Sequence, residues 1–330
     1  MSWRAVLFVA AFGLVPAGTF ASCGSEHCPL DLGMLWERSL LTFDLSQQYI
    51  DQNQPRAGTH DAAVGAIPGP EDEVRTVNRI TTARAIYQPN ESWAITGTLP
   101  FVNRYHEHIH NEPGNPPERM RWNYRGVGDL ETLVSRNFAR GEEKAARYHV
   151  EAGFKAPTGV RHVEEFNGEE PEPPARPGNG AWGAIAGVGA QWSLTTKMPG
   201  GAYGAMPVRL SVMGRSNGRG TERYRVGSEV QSNLGLSYPV TRSLELLLSG
   251  DFRVRAKDGV GDTDADPGHT GGTWAFVSPG IRVNAMGKTA FYGVVQLPVY
   301  QRLNGINLVS DFNLYLGVSR AGGRLRPAGA

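Results

Sequence analysis

Three histidines alternate along the chain at His106, His108 and His110, with Glu107 between the first two. In an extended segment alternate side chains share a face at a spacing of about 6.6 to 7 Å, so their imidazoles can converge on one ion. Neutral imidazole is a common ligand of Cu and Zn. Two hypotheses stay open at this point: capture of Cu or Zn by the three histidines, and a solvated polar loop with no special role.

The only two cysteines, Cys23 and Cys28, follow a segment that is typical of an export signal. Residues 1–21 combine an early positive charge, a short apolar run and small residues before the cleavage point. Export places the cysteines in an oxidising compartment, which predicts a Cys23–Cys28 disulfide in a periplasmic lead over residues 22–38. Alternatively, Phe20-Ala21-Ser22-Cys23 is close to a lipobox, in which case Cys23 is acylated.

Two acidic segments are candidate cation sites. Aspartates alternate within 258–266, but counted from Asp262 an EF-hand requires glycine and glutamate where Pro267 and Thr273 stand. A solvated acidic loop is therefore the favoured interpretation. The second segment, 164–172, is rich in glutamate and overlaps a proline-rich stretch. It predicts a flexible acidic outer loop that could fold into the mouth of a barrel or attract cations.

Composition excludes several classes of function. The formal net charge is +1, which gives no reason to expect nucleic acid as a partner. Beyond residues 1–21 no run of about eighteen apolar residues predicts a membrane-spanning helix. The chain lacks a G-x-S-x-G nucleophile motif, and neither Ser228 nor Ser232 has a histidine nearby in sequence. We expect a protein that is not an enzyme.

The elements that position these residues have a period of two. Segments of about ten residues alternate apolar and polar side chains, as in Trp93–Phe101 and Leu244–Arg255. A helix would need apolar residues three and four apart, so the pattern predicts an all-β chain. A soluble barrel turns its apolar face inward and a membrane barrel turns it outward, so alternation alone does not decide between them.

The lengths of the connections between these segments distinguish a membrane barrel from a soluble one. Long polar stretches, including 51–75, 106–120 and 160–180, alternate with short turns. Short periplasmic turns and long outer loops are typical of outer-membrane barrels. The sequence therefore predicts a transmembrane, up-and-down antiparallel barrel of about twelve strands over residues 39–320, followed by a short tail over 321–330. The expected location is the bacterial outer membrane, in contact with lipid and lipopolysaccharide.

The polar face of each strand should then line the lumen. A barrel of this size lies between small barrels filled by side chains and large open porins, so a restricted pore is expected. Charges of both signs fall on this face and must be paired or solvated. The predicted lumen-lining residues are Asp44, Glu151, Lys155, Arg209, Glu229, Glu245, Asp251, Arg253 and Arg255.

Four motifs carry a resemblance to a known family: Gly126-Val127-Gly128-Asp129-Leu130, Gly153-Phe154-Lys155-Ala156-Pro157-Thr158-Gly159, Arg176-Pro177-Gly178-Asn179-Gly180 and Gln296-Leu297-Pro298-Val299-Tyr300. Over roughly residues 75 to 320 the chain resembles the outer-membrane barrels grouped with the phenol-degradation pathway protein and labelled transporters. The resemblance implies a channel for small molecules, aromatic ones among them. We therefore expect a narrow outer-membrane channel for small solutes. The alternative is a metal-binding or assembly component that uses the histidine-rich segment.

Overall fold

The computed structural model describes residues 39–66, 71–111, 114–140, 146–163, 170–201, 203–259, 261–262 and 267–323. The predicted signal segment, Cys23 and Cys28 lie outside these residues. Signal cleavage, the disulfide and the lipidation alternative therefore stay predictions. Most of the predicted tail also lies outside, although the last strand continues two residues beyond its predicted end at residue 320.

Fourteen strands form one antiparallel sheet in which neighbours in sequence are mostly neighbours in space. In chain order they are β1 (Leu41–Ala57), β2 (His60–Asp61), β3 (Glu71–Asn90), β4 (Trp93–His110), β5 (Glu118–Val127), β6 (Leu130–Arg140), β7 (Ala146–Ala156), β8 (Gly183–Lys197), β9 (Tyr203–Asn217), β10 (Glu229–Pro239), β11 (Leu244–Arg255), β12 (Gly272–Ala285), β13 (Thr289–Leu303) and β14 (Ile306–Gly322). Short 3₁₀ turns occupy Thr221–Arg223, Pro267–His269 and Met286–Lys288.

The sheet closes on itself because β14 pairs with β1, from Leu41 opposite Gly322 to Ala57 opposite Ile306. The wall contains twelve strands. The two-residue β2 pairs only with the end of β1, and β5 and β6 together make one wall strand, since both pair with β4 at successive heights. Closure pairs the wall strands on both sides, apart from β5, which pairs only with β4 among the described residues. The predicted all-β, up-and-down barrel is confirmed.

The outer face of the wall is apolar. On β1, Phe43 is 58% exposed while the neighbouring Asp44 is 5% exposed and points inward. The same alternation recurs along β4, where Ile95, Leu99 and Phe101 are exposed. An exposed apolar belt around a closed barrel suits lipid and not water. Within the described residues, no helix is long and apolar enough to cross a membrane.

Connections at the two ends of the barrel differ in length. One end, here called the loop end, carries the connections 58–70, 111–117, 157–182, 218–228 and 256–271 and the two-residue turn 304–305. The other, the turn end, carries 91–92, 141–145, 198–202, 240–243 and 286–288. By the habit of outer-membrane barrels, the loop end is the outer one.

Two predicted loops are largely strands. β1 continues to Ala57 and β3 begins at Glu71, so the loop predicted over 51–75 is shorter. β4 continues to His110 and pairs with Glu118 of β5, so the loop predicted over 106–120 is a long hairpin. Polar residues there were mistaken for loop because the wall extends beyond the apolar belt, where its outer face no longer has to be apolar.

The barrel interior has two unlike sides. On one, apolar and aromatic side chains of β1 and β11–β14 pack together; we call this the packed side, and it consists of Ile50, Leu247, Trp274, Phe276, Tyr292, Val294, Leu303, Val309 and Tyr315. On the other, β6–β11 present charged side chains to a cavity; we call this the charged side. The alternation of apolar and polar residues predicts a mainly polar interior all round, and the packed side corrects that prediction.

Candidate functional site

The charged side is built around a break in the wall at Gly128 and Asp129, between β5 and β6. A Cβ added to Gly128 would lie 2.8 Å from Cγ of Pro100, so only glycine fits there. Gly159 and Gly178, from two ends of the long β7–β8 connection, meet beside this break. A Cβ on Gly178 would lie 2.6 Å from Cα of Gly159. Backbone segments can approach this closely only where side chains are absent.

Asp129 joins the three segments by hydrogen bonds. Its carboxylate accepts from the backbone N–H of Gly159 at 3.0 Å and from Nζ of Lys155 at 2.9 Å. Lys155 also donates to Oδ1 of Asn179 at 2.8 Å. Three of the four motifs that carried the family resemblance therefore converge on one site, although up to 54 residues separate them in sequence.

Part of the β7–β8 connection folds into the barrel instead of standing above it. This inner loop, residues 170–181, is mostly buried, with Glu170 as its one exposed residue. The carbonyl of Ala175 accepts hydrogen bonds from Arg104 of β4 and from the hydroxyl of Tyr124 on β5. Arg176 donates from Nη2 to Glu222 at 2.6 Å, across to the β9–β10 connection. Most of the acidic segment itself, residues 164–169, lies outside the described residues, so both possibilities for it stay open.

Below the inner loop, ion pairs run across neighbouring strands. Arg215 lies 3.2 Å from Glu131 and 3.4 Å from Glu229, and Arg253 lies 2.9 Å from Glu229. These groups surround a cavity of about 120 Å³. The charged or amide side chains that line it are Asp129, Glu131, Lys155, Arg176, Asn179, Arg215, Asn217, Glu229, Arg253 and Arg255.

The loop that contains the alternating aspartates is tied down by ion pairs. Asp258 is buried and accepts hydrogen bonds from Arg255 at 2.6 and 2.8 Å and from the hydroxyl of Tyr224 at 2.7 Å. Exposed Asp262 pairs with Arg223 of the β9–β10 connection. Hydrogen bonds from the Arg223 guanidinium hold the pKa of the Asp262 carboxyl below its usual value, and the same contact raises the pKa of Arg223.

All nine residues predicted to line the lumen lie on the inner face of their strands. They do not form one group. Four of them line the cavity: Lys155, Glu229, Arg253 and Arg255. Three are held by neutral hydrogen-bond donors: Asp44 by Tyr292, Glu245 by Ser237 and Asn284, and Asp251 by Asn233 and Ser278. Glu151 and Arg209 lie toward the turn end, next to Ser135 and Gln191.

The histidine segment lies inside the barrel near the loop end. His106 and His108 are buried against Trp122 of β5, with ring centroids 5.2 and 4.2 Å from the indole. Nε2 of His106 lies 3.7 Å from the Glu73 carboxylate. At His106 and His108 the solvated-loop hypothesis is wrong, because β4 continues through them. In the described part of the chain, no three His, Cys, Asp or Glu side chains are grouped so that they could hold a metal ion. Metal capture stays a prediction.

Six of the charged or amide residues of the cavity were not predicted to line the lumen: Asp129, Glu131, Arg176, Asn179, Arg215 and Asn217. Three of them belong to the quoted motifs, whose glycines could have indicated close backbone contact. Glu131 and Arg215 follow the period-two pattern of their strands and could have been found by extending it. Nothing local in the sequence indicates that the inner loop turns inward.

Comparisons with known proteins bear on the fold. Neither a protein-family model nor a curated protein sequence matches the chain. The crystal structure of the COG4313 outer membrane channel from Pseudomonas putida F1 is similar, with a TM-score of 0.60 and 12% identity over 86% of this chain and 96% of that one. The transport unit of the autotransporter AIDA-I from Escherichia coli has a TM-score of 0.50 and 11% identity, over 90% and 95% of the two chains.

This chain has the fold of an outer-membrane β-barrel. At such low identity the likeness shows the fold alone, and the lipid-type outer face agrees with it. The predicted outer-membrane location is therefore confirmed. The grouping with phenol-degradation proteins stays a prediction, as does the expectation that the protein is not an enzyme.

Proposed function

We propose that the protein is a narrow outer-membrane channel for small solutes, and that the solute passes along the charged side of the interior. The observation that carries the proposal is the cavity beneath the inner loop. It lies within a closed barrel and is lined by charged side chains, whereas the packed side is occupied by apolar and aromatic ones. Charged side chains stay solvated in such a space, which suits an aqueous path.

The size of the cavity limits what can pass. Its volume of about 120 Å³ is comparable with the roughly 150 Å³ that accommodates a benzene-sized molecule. The inner loop sets this size, because it occupies the mouth on the charged side. Small solutes suit such a constriction. Aromatic cargo in particular rests on the family resemblance and on this volume.

The lining side chains carry more cations than carboxylates. Five described cationic side chains face the cavity, namely Lys155, Arg176, Arg215, Arg253 and Arg255, against the three carboxylates Asp129, Glu131 and Glu229. Two of the five, Arg176 and Arg255, are paired with Glu222 and Asp258 behind the lining, so the surroundings of the cavity are close to neutral. In such a confined space a single fixed charge influences which ions enter, so removal of one arginine should shift the preference between anions and cations.

Single-channel recording in a planar bilayer tests this function. The parent barrel should give small, discrete conductance steps. A matched variant should replace residues 161–177 by one glycine. The backbone N–H of Gly178 already donates to the carbonyl of Val160 at 2.9 Å, so the ends to be joined are neighbours. Removing the inner loop should raise the conductance several-fold.

The control variant shortens another connection at the same end of the barrel. Replacing 111–117 by Asn-Gly, a favoured two-residue hairpin turn, leaves the pairing of His110 with Glu118 possible and should leave the conductance unchanged. If neither the parent nor the loop variant conducts while both migrate as folded barrels on an unheated gel, the channel proposal is wrong.

Metal capture by the histidines is a second candidate function, favoured by one observation. Both ring nitrogens of His108 are buried, and no residue in the described part of the chain forms a hydrogen bond with either of them. Such atoms in native proteins call for an explanation, of which a bound ion or water is one. Calorimetric titration of the refolded barrel with Cu²⁺ or Zn²⁺ should give binding that disappears when His106, His108 and His110 are all replaced by alanine. No binding to the parent would rule this function out.

A further inference from the structure

The wall of the barrel is taller at β3 and β4 than at β7. β3 and β4 contain 20 and 18 residues, whereas β7 contains 11. On β4 the exposed apolar belt runs from Trp93 to Phe101, about 26 Å along the strand. Strands of outer-membrane barrels are tilted by about 35–45°, so this length rises about 18–21 Å along the barrel axis, against an apolar band about 25 Å tall. Asn103, two residues beyond Phe101, therefore lies near the boundary of the hydrocarbon, and the outer surface beyond it stands above that boundary.

This projecting outer surface is rich in arginine. Its residues alternate with the buried inner ones and are set level with one another by strand pairing: Arg79 and Arg125 both pair with Asn103, and Arg75 and Arg121 both pair with Glu107. Two residues further toward the loop end, Arg119 pairs with Ile109. We call Arg75, Arg79, Arg119, Arg121 and Arg125 the arginine face.

Only two carboxylates balance these five guanidinium groups among the described residues of the surface. Asp51 accepts from Nε of Arg75 at 2.9 Å. Glu107 is shared by Arg119 and Arg121, with Nε of Arg121 at 3.1 Å. Arg79 lies over the Tyr49 ring at 5.8 Å, and neither Arg79 nor Arg125 forms an ion pair with a described carboxylate. The least neutralised part of the face is the level immediately above the apolar belt.

We propose that the arginine face binds the phosphate groups of lipopolysaccharide, with Arg79 and Arg125 as the contacts nearest the hydrocarbon boundary. The loop end is the outer end, and the outer leaflet places lipopolysaccharide phosphates at this boundary. Guanidinium groups bind phosphate with two parallel hydrogen bonds and a favourable charge. The proposal does not depend on channel activity, because the arginine face is on the outside of the wall.

The geometry of the face suits a lipid headgroup. Arg79 and Arg125 are separated by one intervening strand, so their backbones lie about 10 Å apart, and long side chains can reach a phosphate between them. Asn103, which separates them, adds an amide hydrogen-bond donor. Acyl chains of the same lipid would then lie along Phe101 and Leu99 below.

Binding of purified lipopolysaccharide to the barrel in detergent, followed by native mass spectrometry, tests the proposal. The test variant is the double substitution Arg79→Gln and Arg125→Gln. The control is Arg136→Gln with Arg320→Gln, two outward-facing arginines at the turn end, of which Arg136 stacks on Trp93 at 4.8 Å. Charge-assisted hydrogen bonds to phosphate are strong enough that each lost arginine should weaken binding by about tenfold.

The expected result is tight binding by the parent and the control, and binding weakened about a hundredfold in the test variant, with all three barrels still heat-modifiable. Lipopolysaccharide from which the phosphates have been removed should bind the parent as weakly as the intact lipid binds the test variant. Equal binding of the intact and dephosphorylated forms, equal binding of phosphatidylglycerol, or an unaffected test variant would each overturn the proposal.

Discussion

The two sides of the barrel interior share one wall and differ in almost everything else. On the packed side, Phe276, Tyr292 and Tyr315 are buried together, and the few acids are held by neutral donors. On the charged side, Arg215 and Arg253 are held by carboxylates around open space. The comparison indicates that stability and passage are divided between the two sides: one is a core like that of a soluble protein, and the other is a lined space.

The physical cause lies in what each kind of side chain needs. Apolar and aromatic side chains gain by excluding water and by close packing, so they fill the volume that they face. Guanidinium and carboxylate groups lose solvation when buried and must be paired or kept wet. On the charged side, the inner loop fills only part of the volume and contributes backbone carbonyls and Arg176 to the same network.

The largest effect should follow from Phe276→Ala on the packed side. The ring is 6% exposed within the barrel, and removal of a buried aromatic side chain costs about 3–5 kcal/mol. Guanidinium unfolding of the barrel in lipid vesicles, followed by tryptophan fluorescence, measures the loss. Conductance of molecules that do fold should match the parent. A changed conductance with unchanged stability would contradict the assignment of stability to the packed side and of solute passage to the charged side.

The second prediction tests whether the close contact between Gly178 and Gly159 holds the inner loop inside the barrel. Gly178→Ala places a Cβ 2.6 Å from the backbone of Gly159, which cannot move aside as a flexible side chain could. The added Cβ should displace the inner loop from the barrel interior, so conductance should rise and proteases should cut the β7–β8 connection faster. Gly250→Ala is the control, since a Cβ there has no atom within 4 Å. Equal behaviour of the two variants would contradict an inner loop seated by this contact.

The barrel was predictable because its signal repeats. Exposed Leu246 and Leu248 alternate with inward Ser249 and Asp251 in β11, and the same rule repeats round the wall. The packed side was not predicted, because Trp274, Phe276 and Val294 reverse the expected polarity where the interior is filled. In the sequence of a single strand, an apolar residue that faces inward cannot be distinguished from an irregularity in the alternation.

The candidate site was predictable only in part, because it depends on a contact between distant segments. The period alone predicted that Lys155, Glu229 and Arg253 face inward, and the structure places all three beside the cavity. Asp129 and Asn179 stand in motifs that were quoted for a resemblance, and their joint contact with Lys155 is a property of the closed barrel. No local sequence pattern predicts that the two ends of the β7–β8 connection lie in contact with the break between β5 and β6.

The third and smaller effect should be on the selectivity of the channel between anions and cations. Arg215→Gln keeps a hydrogen-bonding side chain between Glu131 and Glu229 and removes its positive charge. The permeability ratio of chloride to potassium, taken from the reversal potential in a salt gradient, should fall several-fold. The control Arg136→Gln, on the outer face, should leave the ratio unchanged. An unchanged ratio in the Arg215 variant would place the ion path elsewhere.

The smallest effect should come from a charge on the packed side. Asp44 faces inward like Arg215, and its Oδ2 accepts a hydrogen bond from the hydroxyl of Tyr292 at 2.9 Å. In Asp44→Asn the amide oxygen can accept the same bond, so the free energy of unfolding should change by about 1 kcal/mol or less. The permeability ratio should stay at the parent value, because Asp44 faces packed side chains and not the cavity. A shift of that ratio comparable with the one in the Arg215 variant would mean that ions also pass along the packed side, and the division between the two sides would then have to be abandoned.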